Sequence, residues 1–141
     1  MYLEIITPEK IIYKGEIDEI VVNTADGEIA VLPHHVNLFT KVMPGEVTLK
    51  VDGKEQYLAI TGGFLEVSKN KATILADYAV HAEEIDVEKA LEAQKRAEEL
   101  LKKKKEGLTE LDFASAQGEL RRAILELHVA SRRRHHNRPL N

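Results

Sequence analysis

The sequence predicts a segregated α+β chain, an N-terminal antiparallel β-sandwich or barrel followed by a C-terminal antiparallel α-helical hairpin. Three observations carry this. From Tyr2 to about Asp77 apolar residues recur with a period near two, interrupted by turn chemistry at intervals of roughly 8 to 12 residues. From Asp86 to Lys105 there is neither proline nor glycine, and most residues are Ala, Leu, Glu, Lys or Arg, the strongest helix formers. Gly107 stops that run, and a second helical pattern continues to about Arg133. The predicted division is residues 1–84 for the sandwich and 85–141 for the helices (about 86–105 and 109–133) with a basic tail.

Residues 2–7 form the first strand candidate, ended by Pro8; residues 11–13 precede Gly15, and the β-branched run 17–24 leads into a turn at Asp26-Gly27. The strand at residues 29–32 stops at Pro33, which cannot donate to a ladder. His34-His35-Val36-Asn37 is therefore a polar tip on a stiff base before the apolar pattern resumes at Leu38. Pro44-Gly45 marks a corner. Val47, Leu49 and Val51 alternate with Thr48 and Lys50, Asp52-Gly53 supplies the positive φ values of a tight hairpin turn, and residues 57–60 return alongside. Gly62-Gly63 precedes an alternating strand at 64–67. The pair predicts a bulge or sharp bend, because no lysine and hydroxyl residue follow at P-loop spacing and no helix follows. Ser68-Lys69-Asn70-Lys71 turns the chain again and residues 72–76 form a further strand.

In the helical half Asp86 is the expected N-cap, Glu88 suits the positive end of the dipole and residues 102–105, all lysine, the negative end. Thr109 with Asp112 makes a relative of the capping box. Ala90, Ala93, Ala97, Leu100 and Leu101 are expected to face Phe113, Ala116, Leu120, Ala123, Ile124 and Leu127. Alanine removes little apolar area, so this seam is thin and the hairpin can open at modest cost.

The absence of cysteine excludes disulfides and thiolate chemistry. The N-terminal residues show no secretory pattern, and no segment approaches the roughly 18 apolar residues of a membrane-spanning helix. Residues 1–84 carry 7 Lys and Arg against 14 Asp and Glu, whereas residues 85–141 carry 13 against 10. The acidic front and basic back predict an anionic partner for the C-terminal end, where Arg121, Arg122, Arg132, Arg133, Arg134 and Arg138 are opposed only by Glu126.

Catalytic chemistry finds little support. The adjacent pairs His34-His35 and His135-His136 point in divergent directions and suit a surface better than a metal site. Ser68, Ser115 and Ser131 occupy a turn, a helix and the basic end, none of them a nucleophile elbow. Two readings of the arginines remain, phosphates of nucleic acid or an acidic protein surface. The acidic front, and the lack of a stacking aromatic pair beside the arginines, weigh against nucleic acid. A free-standing sandwich and hairpin module that binds nucleic acid or acidic proteins through its Arg-rich end is the alternative to the reading that follows.

The run Asp26-Gly27-Glu28-Ile29-Ala30-Val31-Leu32-Pro33 with His35, Leu38 and Pro44-Gly45, the segment Gly62-Gly63-Phe64-Leu65-Glu66-Val67 through Asp77, and Ile85-Asp86 opening an alanine-rich hairpin occur in the order found in the ε subunit of F-type ATP synthases. The chain resembles that family over nearly its whole length, with His34 standing where the family often has glycine. The resemblance implies a β-sandwich of about ten strands and a non-catalytic rotor subunit of the central stalk, coupling the γ subunit to the c-ring of a proton-translocating synthase. It implies a peripheral place on the cytoplasmic face of the bacterial inner membrane, with membrane contact only through the c-ring. Glu28 and His35 match c-ring contacts of relatives. The hairpin in this family restrains ATP hydrolysis by extending into the catalytic head, where Arg121, Arg122, Arg132, Arg133 and Arg134 would face an acidic segment of the β subunit, beside α. No cofactor or metal is required. Some relatives hold a regulatory ATP through Ile-Asp, two variable residues, then Arg-Ala; the matching run here is Ile85-Asp86-Val87-Glu88-Lys89-Ala90, with Asp86 and Lys89 at the motif positions, and Arg96 and Arg122 match further basic positions of those relatives. Lys89 lacks the planar fork of arginine, and Glu126 stands where a basic residue is expected and would repel phosphate.

Overall fold

The computed structural model describes residues 1–103 and 109–136, with side chains through Arg132. The alternating part of the sequence becomes ten strands: β1 (Tyr2–Ile6), β2 (Ile11–Glu16), β3 (Glu19–Thr24), β4 (Gly27–Val31), β5 (Leu38–Val42), β6 (Gly45–Val51), β7 (Lys54–Ile60), β8 (Gly63–Ser68), β9 (Lys71–Ala76) and β10 (Ala79–His81). They form one sheet in the order β10-β7-β6-β3-β5-β8-β9-β1-β2, with β4 paired to β3. The His81 Nε2 lies 2.9 Å from the Ile12 carbonyl oxygen and donates to it, which joins the two end strands of that order. The sheet therefore folds over on itself. Leu3 and Ile5, Ile20 and Val22, Val47 and Leu49, Leu65 and Val67, and Ala72 and Ile74 are buried at alternate positions of their strands and meet in one core. Each large aliphatic side chain buried there contributes about 1.5–3 kcal/mol.

One departure from a purely antiparallel sheet is the pairing of β1 with β9, which is parallel, with Tyr2 opposite Lys71. A parallel pair cannot be closed by a short turn, and here β2 to β8 intervene between its members, so no local signal announces it. Strand β5 lies between the loop after Pro33 and the corner at Pro44-Gly45, and β10 is too short for periodicity to show. Leu32, expected to end a strand, lies beyond β4 and is exposed.

The turns behave as their residues require. Asp52 and Gly53 have φ of 52° and 78° between Val51 and Lys54, the left-handed pair of a two-residue hairpin. Lys69 and Asn70, at 51° and 60°, do the same between Ser68 and Lys71. At the paired glycines, Gly62 has φ 124°, and a Cβ on Gly63 would lie 2.1 Å from the Leu75 carbonyl oxygen. That is a close approach of two backbones in a sheet, the bend expected of the pair.

Residues Met1–Ala82 and Glu83–Asn141 are two compact units. A 3-10 turn at Ala82–Glu84 spans the boundary and precedes α1 (Val87–Lys102), whose N-cap Asp86 accepts from the Lys89 backbone N–H at 3.2 Å. Thr109 caps α2 (Glu110–His136) by accepting from Asp112 N–H at 3.1 Å. Helix α1 closes at Lys102, short of the expected Lys105, while α2 runs past Arg133; Lys104, Lys105 and the Gly107 stop lie outside the described residues. Ala90, Ala97, Ala116 and Ala123 are buried, with Ala93, Leu101, Phe113, Leu120 and Leu127 half-buried beside them. Leu100 and Ile124 are exposed rather than part of the seam. Each is one residue, about 100° of helix, from the half-buried Leu101 and the buried Ala123, and that rotation takes it off the contact stripe.

Candidate functional site

The loop between β4 and β5 is held by backbone geometry. The His35 N–H donates to the Leu32 carbonyl at 3.1 Å, closing a four-residue turn with Pro33 second and His34 third. His34 has φ 65°, so proline second and a positive φ third give the pattern of a type II turn. Histidine thus adopts the conformation that glycine would take without penalty, at a cost of about 1–2 kcal/mol. The His34 N–H donates to Asn70 Oδ1 at 2.8 Å, tying the loop to the β8–β9 turn. His35 is half-buried, and its Nδ1 lies 2.7 Å from the Val36 carbonyl oxygen, which makes that nitrogen the donor of the bond. Val36 beside it is 76% exposed.

Glu28 is exposed near the start of β4, opposite Asn23 of β3. Its backbone and that of Leu32, against which His35 closes, are four residues apart, about 13 Å at the rise of a strand. Glu28 and the turn that carries His35 therefore stand apart along the strand direction.

Sequence reasoning missed an apolar face on the same unit. Phe39 on β5 and Phe64 on β8 are 69% and 47% exposed and stack with ring centroids 5.8 Å apart and planes 14° apart. Leu75, opposite Phe64 across β8 and β9, and Met43 are exposed as well. An open groove of about 740 Å³ beside them is lined by parts of 6–8, 41–44, 61–64 and 75–77. The available signal was the presence of Phe39 and Leu75 at the outward positions of alternating strands, where a surface ordinarily places polar residues.

On the helical unit, Arg96 Nη2 donates to Glu119 Oε1 at 2.7 Å across the hairpin, and the hydrogen bond and charge of Glu119 hold the Arg96 guanidinium above its usual range. Arg122 Nε donates to Glu126 Oε1 at 3.0 Å on the next turn of α2. Asp86 is engaged in capping its own helix. Of the four residues matched to nucleotide-binding positions, the side chains of Asp86, Arg96 and Arg122 are thus bonded within the unit. Arg121 and Arg132 are exposed on α2; Arg133 and Arg134 also belong to α2 but lie past the described side chains. Among the described residues no cluster of three or more His, Cys, Asp or Glu side chains could hold a metal ion, and no helix is long and apolar enough to cross a membrane.

Comparison with known proteins gives these features a common setting. Residues 1–82 match the family model of the ATP synthase Delta/Epsilon chain β-sandwich domain, and residues 83–131 that of the long α-helix domain of the same chain. An ATP synthase epsilon chain from Dehalococcoides mccartyi is 41% identical over 134 residues, covering 95% of this chain and 94% of the relative. Among solved structures, a chain in the Euglena gracilis mitochondrial ATP synthase, described as OSCP/F1/c-ring, is 29% identical, with TM-score 0.71 and coverage of 92% of this chain and 79% of that one. A chain of the Tetrahymena thermophila mitochondrial ATP synthase, described as central stalk/c-ring, is 18% identical with TM-score 0.59 over 92% of this chain and 96% of that one, a likeness of fold. With both units matched in sequence and in order, the chain belongs to the ATP synthase epsilon chain family, whose members are non-catalytic subunits of that complex.

Proposed function

We propose that this chain is a rotor component of the central stalk, that its sandwich couples the γ subunit to the c-ring, and that its hairpin restrains ATP hydrolysis. It works at the cytoplasmic face of the bacterial inner membrane and touches the membrane only through the c-ring. The apolar face of Phe39, Phe64, Leu75 and Met43 suits burial against γ, and the loop bearing His35, with Glu28, suits polar contact with the c-ring. A rigid sandwich is the right material for this task, since torque must pass through a part that does not deform.

The observation that carries the inhibitory role is the composition of the hairpin seam. Alanines 90, 97, 116 and 123 are buried along it, Leu101, Phe113, Leu120 and Leu127 are only half-buried, and Val129 and Ala130 are buried further along α2, so separating the helices exposes less apolar area than a seam of fully buried leucines would. Arg121, Arg122, Arg132, Arg133 and Arg134 then supply the charge for an acidic segment of the β subunit, beside α. No cofactor is needed for either role. A regulatory ATP would fall to Asp86, Lys89, Arg96 and Arg122, after displacing Glu119 and Glu126 from the two arginines.

Deleting every residue after Asp86 tests the restraint. The truncated subunit is expected to assemble and to leave proton coupling intact while ATP hydrolysis by the complex rises. Equal hydrolysis by truncated and full-length complexes at several ATP levels would sink the inhibitory reading.

A further inference from the structure

We propose that Asn70, which lies 36 positions along the chain from His34, is the positioning residue of the c-ring loop; this rests on the loop reading above. Two of the loop's hydrogen bonds are local, His35 N–H to Leu32 and His35 Nδ1 to Val36. They shape the turn but leave its direction free to swing about the ends of β4 and β5. The third runs from the His34 N–H to Asn70 Oδ1, 2.8 Å away on the β8–β9 turn. In a turn closed between residues one and four, the N–H of the third residue is unused, so it is available to an outside acceptor. Only the amide oxygen of Asn70 can accept it, which settles the orientation of that side chain.

Asn70 is itself fixed. Its φ of 60° belongs to the two-residue turn between Ser68 and Lys71, and asparagine tolerates that region better than most residues. Its carbonyl oxygen accepts from Tyr2 N–H at 3.2 Å, which adds β1 to the anchor. One residue thus joins three parts of the sandwich: the β8–β9 hairpin, the start of the parallel strand β1 and the loop that carries His35. Replacing the His34 side chain leaves this bond in place because it uses the backbone; replacing the Asn70 side chain removes it.

The test compares Asn70→Gly, which keeps the left-handed turn and loses the acceptor, with Asn70→Asp, which keeps an acceptor oxygen at the same reach. In the full chain, hydrogen exchange at the His34 amide should quicken about two- to tenfold in Asn70→Gly, the range of one hydrogen bond's net contribution, and return toward the parent rate in Asn70→Asp. In the reconstituted complex, protons pumped per ATP hydrolysed should fall in Asn70→Gly and recover in Asn70→Asp. An unchanged His34 exchange rate overturns the anchor. Faster exchange with unchanged pumping overturns the positioning role; in that case a loss of pumping in His35→Ala leaves the c-ring reading standing, and no loss removes both.

Discussion

Gly63→Ala measures how closely the two backbones at the paired glycines approach. A Cβ at this position would meet the Leu75 carbonyl oxygen at 2.1 Å and the Ala76 Cα at 2.9 Å, and the first distance is roughly 1 Å short of the 3.0 Å that real Cβ contacts respect. Neither obstacle is a side chain that can turn away. Gly63 pairs with Ala76 and Phe64 with Leu75, so relief requires β8 and β9 to separate locally by about 1 Å, enough to break one or two ladder hydrogen bonds. At about 0.5–1.5 kcal/mol per bond and about 1–3 kcal/mol of packing strain, less the roughly 0.5–1 kcal/mol gained by removing a glycine from the unfolded chain, the sandwich should lose about 2–4 kcal/mol. For a domain of this size that lowers the midpoint by some 10–25 °C. Tyr2, Tyr13, Tyr57 and Tyr78 all lie in the first unit and the chain has no tryptophan, so tyrosine fluorescence during heating reports the sandwich alone. A midpoint within about 4 °C of the parent would refute the close approach and with it the bend reading.

The helical unit supplies a contrast of opposite sign. Gly118 lies inside α2 with nothing within 4 Å of the place an added methyl group would take, so Gly118→Ala should stabilise the helix by about 0.5–1 kcal/mol, seen as a higher melting point at 222 nm; destabilisation would show that the site is closed. For the nucleotide, ATP titrated calorimetrically into the full chain should bind more weakly than into Glu126→Arg, which replaces the repulsive carboxylate bonded to Arg122 with a positive charge. If neither protein releases heat at millimolar ATP, the chain has no such site.

What could be read in the sequence is what is decided locally. Asp52-Gly53 and the caps Asp86 and Thr109 act on residues one to three positions away, so the residue types alone specify the backbone. The alternation of Leu3 with Ile5 and of Val47 with Leu49 reports burial directly. The β1–β9 pairing, the Asn70 anchor and the Phe39–Phe64 stack join residues far apart in the chain, and each depends on the order of strands in the sheet. His34 is an intermediate case: its departure from the family's glycine was visible, but whether the backbone keeps the left-handed turn is decided by Pro33 and Asn70 together.

The two units are stabilised by different means, and this difference bears on regulation. Exchanging a buried leucine for alanine forgoes three carbon atoms, about 2.4 kcal/mol at roughly 0.8 kcal/mol for each buried CH₂-sized group. The sandwich buries Leu3, Leu49, Leu58 and Leu65 completely, whereas the buried residues described on α1 and α2 are alanines 90, 97, 116, 123 and 130 with Val129, and no leucine. This burial predicts a lower local opening free energy in the hairpin than in the sandwich. To move a two-state hairpin from one part in a hundred to ninety-nine requires a differential affinity of about 5.5 kcal/mol. Several partly desolvated arginine contacts on an acidic surface are of that order, at about 1.5–3 kcal/mol for each hydrogen bond to a charged group. If the hairpin opens as proposed, a seam of fully buried leucines would add several times about 2.4 kcal/mol to the same transition and place it beyond the reach of those contacts, and the alanines would then be what makes it responsive.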